Sequence, residues 1–150
     1  MIAEFIRANG LAAELIQLPR PEETLLRAFS TKNVSLNNAA RCTLYITEDS
    51  LPAIVVSPAR ARLDEEKITL LLGAKLAMKA VPHEVEEITG YPEEFLPPIA
   101  IYGVRVLVDL AFKEKEFIYC AAGDNRHILK LPIADLESAS EDLFWGDVKK

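Results

Sequence analysis

The chain has 150 residues, of which 50% are hydrophobic and 27% charged, and its net charge is −6. That length suits one domain, residues 1–150, with enough chain to bury a core, and the balance is that of a soluble globular protein. No apolar run approaches the span of a bilayer, so no membrane partner is expected. The negative charge argues against general affinity for DNA or other nucleic acid, which rests on phosphate neutralisation.

The opening MIAEFIRANG sets Glu4 and Arg7 among apolar residues and lacks the long apolar core of a signal peptide, so the chain reads as cytoplasmic. AEFIRANG predicts a short helix stopped by Gly10, and LAAELIQLP a strand ended by Pro19. PEETLLRAF places Pro21 in a first turn with acids behind it, which suits a helix N-terminus. SLNNA is a turn or one helical turn before RCTLYIT, a β-rich run. PAIVVS follows as a strand, so residues 41–57 read as a hairpin around EDSLP.

LDEEKITLLLG has Asp64 as N-cap, acids in its first turn and Gly73 as its stop. AKLAMKA alternates like a strand, and PHEVEEIT starts a short helix from Pro82. VRVLVDL, EFIYCAA and RHILKL are strands, with Gly123-Asp124 as turn chemistry before the last, and IADLESA is a final helix. The strands predicted over residues 41–47, 53–57, 104–109 and 116–121 outnumber what simple alternation with helices gives. The fold class is therefore α+β, a single domain with a mixed, barrel-like sheet and surrounding helices.

One passage fits neither element type. ITGYPEEFLPPIAIYG joins a Gly-Tyr-Pro turn, two acids, a Phe-Leu pair and two prolines. Prolines delete backbone donors and fix φ, which excludes a helix interior or a central strand. The passage is either a stiff crossover that packs Phe95 and Leu96 into the core or one wall of a binding pocket.

Cys42 and Cys120 are the only cysteines, and with His83 and His127 they show no metal-ligand spacing. No metal site and no cofactor are expected. Arg60, Arg62, Lys67, Lys75 and Lys79 form either a local basic face or, the preferred reading, a solvated surface balanced by Asp64, Glu65 and Glu66.

Four fragments in this order and spacing, RCTLYIT, SPARARLDEEKITLLLGAK, ITGYP with its later Pro-Pro, and IYCAAGDNRHILKLPIADL, resemble the YbaK/ProX group of aminoacyl-tRNA deacylases. That editing domain also occurs inserted in some prolyl-tRNA synthetases. The resemblance covers residues 41–136 and rests on the set of motifs, since none is very specific alone. It implies a small α+β domain that hydrolyses the ester between a wrong amino acid and the tRNA 3′ end. The implied partner is mischarged tRNA, engaged through that aminoacyl end.

Two motifs depart from the group. Where the group reads Lys-Thr-Leu this chain reads Cys42-Thr43-Leu44, and where it has Gly-Gly before a proline this chain has Glu94-Phe95. The Ala122-Gly123 turn replaces a Gly-Gly turn. The resemblance makes Cys42, Ala122 and Gly123 the catalytic positions, with the backbone N–H groups of the turn, or of the loop at Gly103, as oxyanion donors. It places Thr43, Gly90, Tyr91, Pro98 and Gly103 against the substrate. Phe95 would narrow the site, and Glu94 would meet an α-ammonium or point to solvent. His127 is a base near the turn or a half-exposed strand residue, and His83 sits in a helix's first turn with no catalytic role.

Cys42 has two readings. As a nucleophile it needs a base and a lowered pKa, while as a small apolar residue in a buried strand it needs nothing, and the second is preferred. Asp109 at the end of VRVLVD either caps the following turn, the preferred reading, or reaches the site. Three functions follow: a deacylase acting in trans, a domain of the same fold that binds tRNA ends, an aminoacyl compound or a protein without catalysis, and an unrelated hydrolase using Cys42.

Overall fold

The computed structural model describes residues 2–150. In chain order the helices are α1 (Ile2–Ala8), α2 (Leu25–Thr31), α3 (Glu65–Leu71), α4 (Pro82–Thr89) and α5 (Ile133–Ala139). The strands are β1 (Glu14–Gln17), β2 (Ala40–Thr47), β3 (Pro52–Pro58), β4 (Ala77–Lys79), β5 (Arg105–Asp109), β6 (Phe117–Ala121), β7 (His127–Pro132) and β8 (Leu143–Gly146). The class is α+β, as expected. The strands resolve into two sheets, one ordered β1-β7-β6 and the other β4-β2-β3-β5-β8. A parallel bridge from Ala39 to Tyr119 ties one sheet to the other. No described helix is long and apolar enough to cross a membrane.

The larger sheet is mixed because β2 and β3 form an antiparallel hairpin, with Cys42 opposite Val56, while β5 and β8 run parallel to β3. Its central strands are buried on both faces, which explains why they read as unbroken apolar runs. Ile54, Val56, Val106 and Val108 point into the main core with Cys42 and Leu44. Ala53, Val55 and Leu107 point the other way, onto Ile68 and Leu72 from the α3 region. Strand side chains alternate between faces, so one sheet feeds two apolar layers.

Several local expectations are corrected. α2 begins four residues after Pro21, at Leu25, because Thr24 in an extended conformation caps it, its hydroxyl accepting from the Arg27 N–H at 3.2 Å. AKLAMKA contributes only the three residues Ala77–Lys79, which cover the edge of β2. β8 was not foreseen from LFWG, a segment too short for periodicity to register. Asp64 caps α3 through Lys67 N–H at 3.1 Å, as expected.

Asp109 closes β5 fully buried. It does cap the next turn, through the Ala111 N–H at 3.0 Å, and it also binds the C-terminal segment. The Val148 N–H reaches its other oxygen at 3.0 Å and the Lys149 ammonium lies 2.8 Å away. The preferred reading of Asp109 thus holds, and its role is larger than the sequence suggested.

Candidate active site

Residues of four segments meet at one cavity of about 430 Å³, lined by α1, β1, the end of α4 and the β6–β7 turn. Gly90 ends α4 with φ of 80°, a left-handed conformation that glycine adopts without steric cost. The chain then reverses and turns Tyr91 inward, where its N–H is accepted by the Thr89 hydroxyl at 3.1 Å. The ring is buried at 4% exposure, and burial raises the phenol pKa.

Gly123 faces that ring. Its φ is 91°, and a Cβ added there would stand 2.7 Å from Tyr91 Cε1, closer than real carbons approach. Its N–H donates to the Phe95 carbonyl at 3.0 Å. This amide is therefore committed to fixing the turn against the stiff passage and is not free to serve as the oxyanion donor that the sequence suggested. Asp124 and His127 form the far rim. His127 Nδ1 lies 3.0 Å and 3.1 Å from the two Asp124 oxygens. A carboxylate in that position draws the imidazole proton to Nδ1 and leaves Nε2 as an acceptor.

Among the expected site residues, Gly90, Tyr91, Ala122, Gly123 and His127 line this cavity, while Cys42, Thr43, Glu94, Phe95, Pro98 and Gly103 do not. Cys42 is 4% exposed and packs in the same apolar cluster as Tyr91, Cys120 and Ala122, a layer behind the cavity wall. Burial pushes its thiol up to about 12, with Arg41 lowering it only in part, so no thiolate forms at neutral pH. This burial agrees with the core reading of Cys42 rather than with the nucleophile that the unrelated hydrolase would need. Thr43 is buried, as is Pro98, while Gly103 sits in open space on the surface with φ of 75°.

Glu94 and Phe95 take another course. Phe95 is 7% exposed and packs with Leu25, Phe29 and Ile128, filling the gap between α2 and the smaller sheet. Glu94 accepts two hydrogen bonds from Arg41 at 3.1 Å each and one from the Leu25 N–H at 2.9 Å. Burial alone would raise this carboxyl, but those partners outweigh it and hold it below its usual range. The passage thus packs as a stiff crossover at Phe95 and lines the cavity at Tyr91.

Lysines do not replace the missing one. Lys130 lies 4.0 Å from Glu14 and 4.4 Å from the Phe117 ring centre, and the Lys75 N–H, not its ammonium, is held by Glu48. The lining holds no Lys or Arg. In the basic run of residues 60–79, Lys67 pairs with Asp147 at 2.8 Å and Lys79 lies near Glu93. Asp124 lines the cavity although the sequence offered it only as turn chemistry. The signal was present as an acid three positions before His127, across a turn that brings the two side chains together. No group of three described His, Cys, Asp or Glu residues has the arrangement of a metal site.

This geometry defines a small α+β domain with a polar-rimmed cavity walled by α1, the smaller sheet and the end of α4. The aminoacyl-tRNA editing domain family matches residues 20–139, and the chain belongs to that family. Its function is accordingly of the deacylase-like, tRNA-editing kind, and membership implies binding of aminoacyl-tRNA. It is 27% identical over 128 residues to the uncharacterised protein YwhH of Bacillus subtilis, covering 85% of this chain and 81% of that one. It is 33% identical over 100 residues to the proline–tRNA ligase of Nitratidesulfovibrio vulgaris, 65% of this chain but 17% of the ligase, so it spans about a sixth of that relative. Among solved structures, the hypothetical protein APE2540 superposes with a TM-score of 0.90 at 25% identity over 99% of both chains. A proposed trans-editing enzyme for prolyl tRNA synthetase superposes at 0.86 and 19% identity over 99% of this chain and 94% of that one, a likeness of fold.

Proposed function

We propose that this chain, folded as one domain over residues 1–150, acts in the cytoplasm and in trans, hydrolysing the ester of mischarged tRNA with the aminoacyl group held in the cavity between Tyr91 and His127. The observation that carries this reading is the Asp124–His127 pair on the rim of a cavity whose wall is built from Gly90, Tyr91, Ala122 and Gly123. Ester hydrolysis needs a positioned water, and an imidazole fixed by a carboxylate supplies the acceptor for its proton. The ester is already activated by its neighbouring ammonium group, and the adenosine hydroxyl beside it assists. Little further acid–base equipment is required.

The rate should be modest. A preorganised cationic donor at the position of Cys42 is absent, and losing such a donor costs about two to three orders of magnitude. The Tyr91 ring and the closed turn at Gly123 form one wall of that cavity. A panel of tRNAs charged with small wrong amino acids, incubated with native protein, Cys42→Ala and Asp124→Asn, tests the reading. The native protein and Cys42→Ala should deacylate one member of the panel at equal rates, and Asp124→Asn should be slower by about tenfold or more. Binding of charged tRNA without any hydrolysis would instead identify a non-catalytic domain.

A further inference from the structure

Glu22 lies in the connection between β1 and α2, yet it is only 7% exposed. Its N–H donates to the Asn125 carbonyl at 3.0 Å, and the Leu18 N–H donates to the Arg126 carbonyl at 2.8 Å. The connection is thus laced to the turn whose two ends, Asp124 and His127, line the cavity. Two guanidinium groups stand about the Glu22 carboxylate, Arg20 at 3.8 Å and Arg27 at 4.0 Å, and both are largely exposed, at 77% and 72%. The hydrogen bond to that carboxylate comes instead from the Thr31 hydroxyl at 3.0 Å. Arg126, also exposed, sits in the laced turn itself.

Among the described residues none of these three guanidiniums makes a hydrogen bond, and Arg27 and Arg126 bond only through main-chain groups. Three arginines therefore stand, with their donors unspent, on the connection, on α2 and in the turn laced to that connection. Glu22 compensates one charge, Asp124 is turned to His127, and Glu23 is the one further acid on the connection. In a chain of net charge −6 such a local cationic group is what an anionic polymer needs, because the long-range field repels it.

We propose that Arg20, Arg27 and Arg126 form a clamp for the backbone phosphates of the tRNA 3′ strand. The inference rests on the reading of the cavity given above, since it takes the terminal aminoacyl adenosine to sit there. The phosphates of the preceding nucleotides then leave past the 124–127 turn, where the arginines stand. The planar guanidinium fork matches phosphate oxygens two at a time. The covered Glu22 holds two of the forks apart and lowers their mutual repulsion without capping their donors.

The test uses the full chain and three probes: uncharged tRNA, the mischarged tRNA that the native protein hydrolyses, and the same amino acid esterified to adenosine, which has no phosphate. Arg20→Ala, Arg27→Ala and Arg126→Ala are combined, with the three Lys substitutions as a charge-keeping control. The Ala triple variant should bind uncharged tRNA at least tenfold more weakly, and its plot of log affinity against log salt should be shallower by about two, given about 0.7 per phosphate lost on a single strand. It should hydrolyse the adenosine ester at the native rate, and the Lys variant should recover most of the salt slope. Unchanged tRNA binding and slope in the Ala variant would overturn the clamp. So would equal losses on tRNA and adenosine ester, which mean that the arginines merely support the turn. Should the native protein hydrolyse neither substrate, the catalytic reading fails, and the binding and salt arm still decides the clamp.

Discussion

Gly123 carries two constraints in one residue. Its φ of 91° is a conformation that L side chains rarely adopt, and the Tyr91 ring occupies the space a methyl would take. Strain in such a conformation costs about 1–3 kcal/mol, and the overpacking adds a further ~1 kcal/mol or more. Gly123→Ala should therefore lower stability by about 2–4 kcal/mol in urea unfolding, and deacylation should fall with it as the turn moves off Tyr91. Cys42 predicts the opposite pattern. Its thiol is enclosed by apolar neighbours and held neutral by burial. Cys42→Ala should cost about 1 kcal/mol of stability, leave the deacylation rate unchanged, and remove one of the two thiols that a chemical probe counts only after unfolding. The sequence made Gly123 visible as turn chemistry, but the ring that requires it comes from a segment thirty-odd positions earlier, and no local pattern carries that contact.

At the scale of elements, two charged groups join segments that are distant in the chain. Glu94 links the stiff passage to β2 through Arg41 and to the first turn of α2 through Leu25. Its carboxyl is held below its usual range, so this stabilisation is present above the unfolded value and is lost as pH falls through the folded one. Glu94→Gln should therefore be less stable than the native protein at pH 7, and the gap should close as pH falls below the ordinary carboxylate range. A gap independent of pH in paired urea titrations would contradict this account. Asp109 ties β5 to the C-terminal segment through Val148 and Lys149. Asp109→Ala leaves the buried Val148 N–H unpaired and removes the nearer carboxylate of Lys149, which keeps only Asp147 at 3.6 Å, at a cost of about 2–4 kcal/mol. Amide exchange should then accelerate first in β8 and residues 147–150. Sequence reasoning found the strands and their caps because periodicity and capping are local. It missed β8 because a four-residue strand is selected by its parallel partner β5, not by its own pattern.

For the whole molecule, the fold class was legible from the count of strands and the four motif fragments. The division into two sheets was not, since it depends on which edges pair. The candidate site was half legible: the motifs at Gly90-Tyr91 and Ala122-Gly123 do meet, whereas Glu94 and Phe95 turned to hold α2 instead. The central claim is that the cavity rim supplies the acceptor for the proton of the attacking water, through the imidazole that Asp124 orients. The most direct test compares single-turnover deacylation of mischarged tRNA by native protein and by His127→Ala, with both shown folded by their melting profiles. The account predicts a loss of about 10²- to 10⁴-fold in rate with tRNA affinity kept within a few-fold. A native rate in His127→Ala would contradict it.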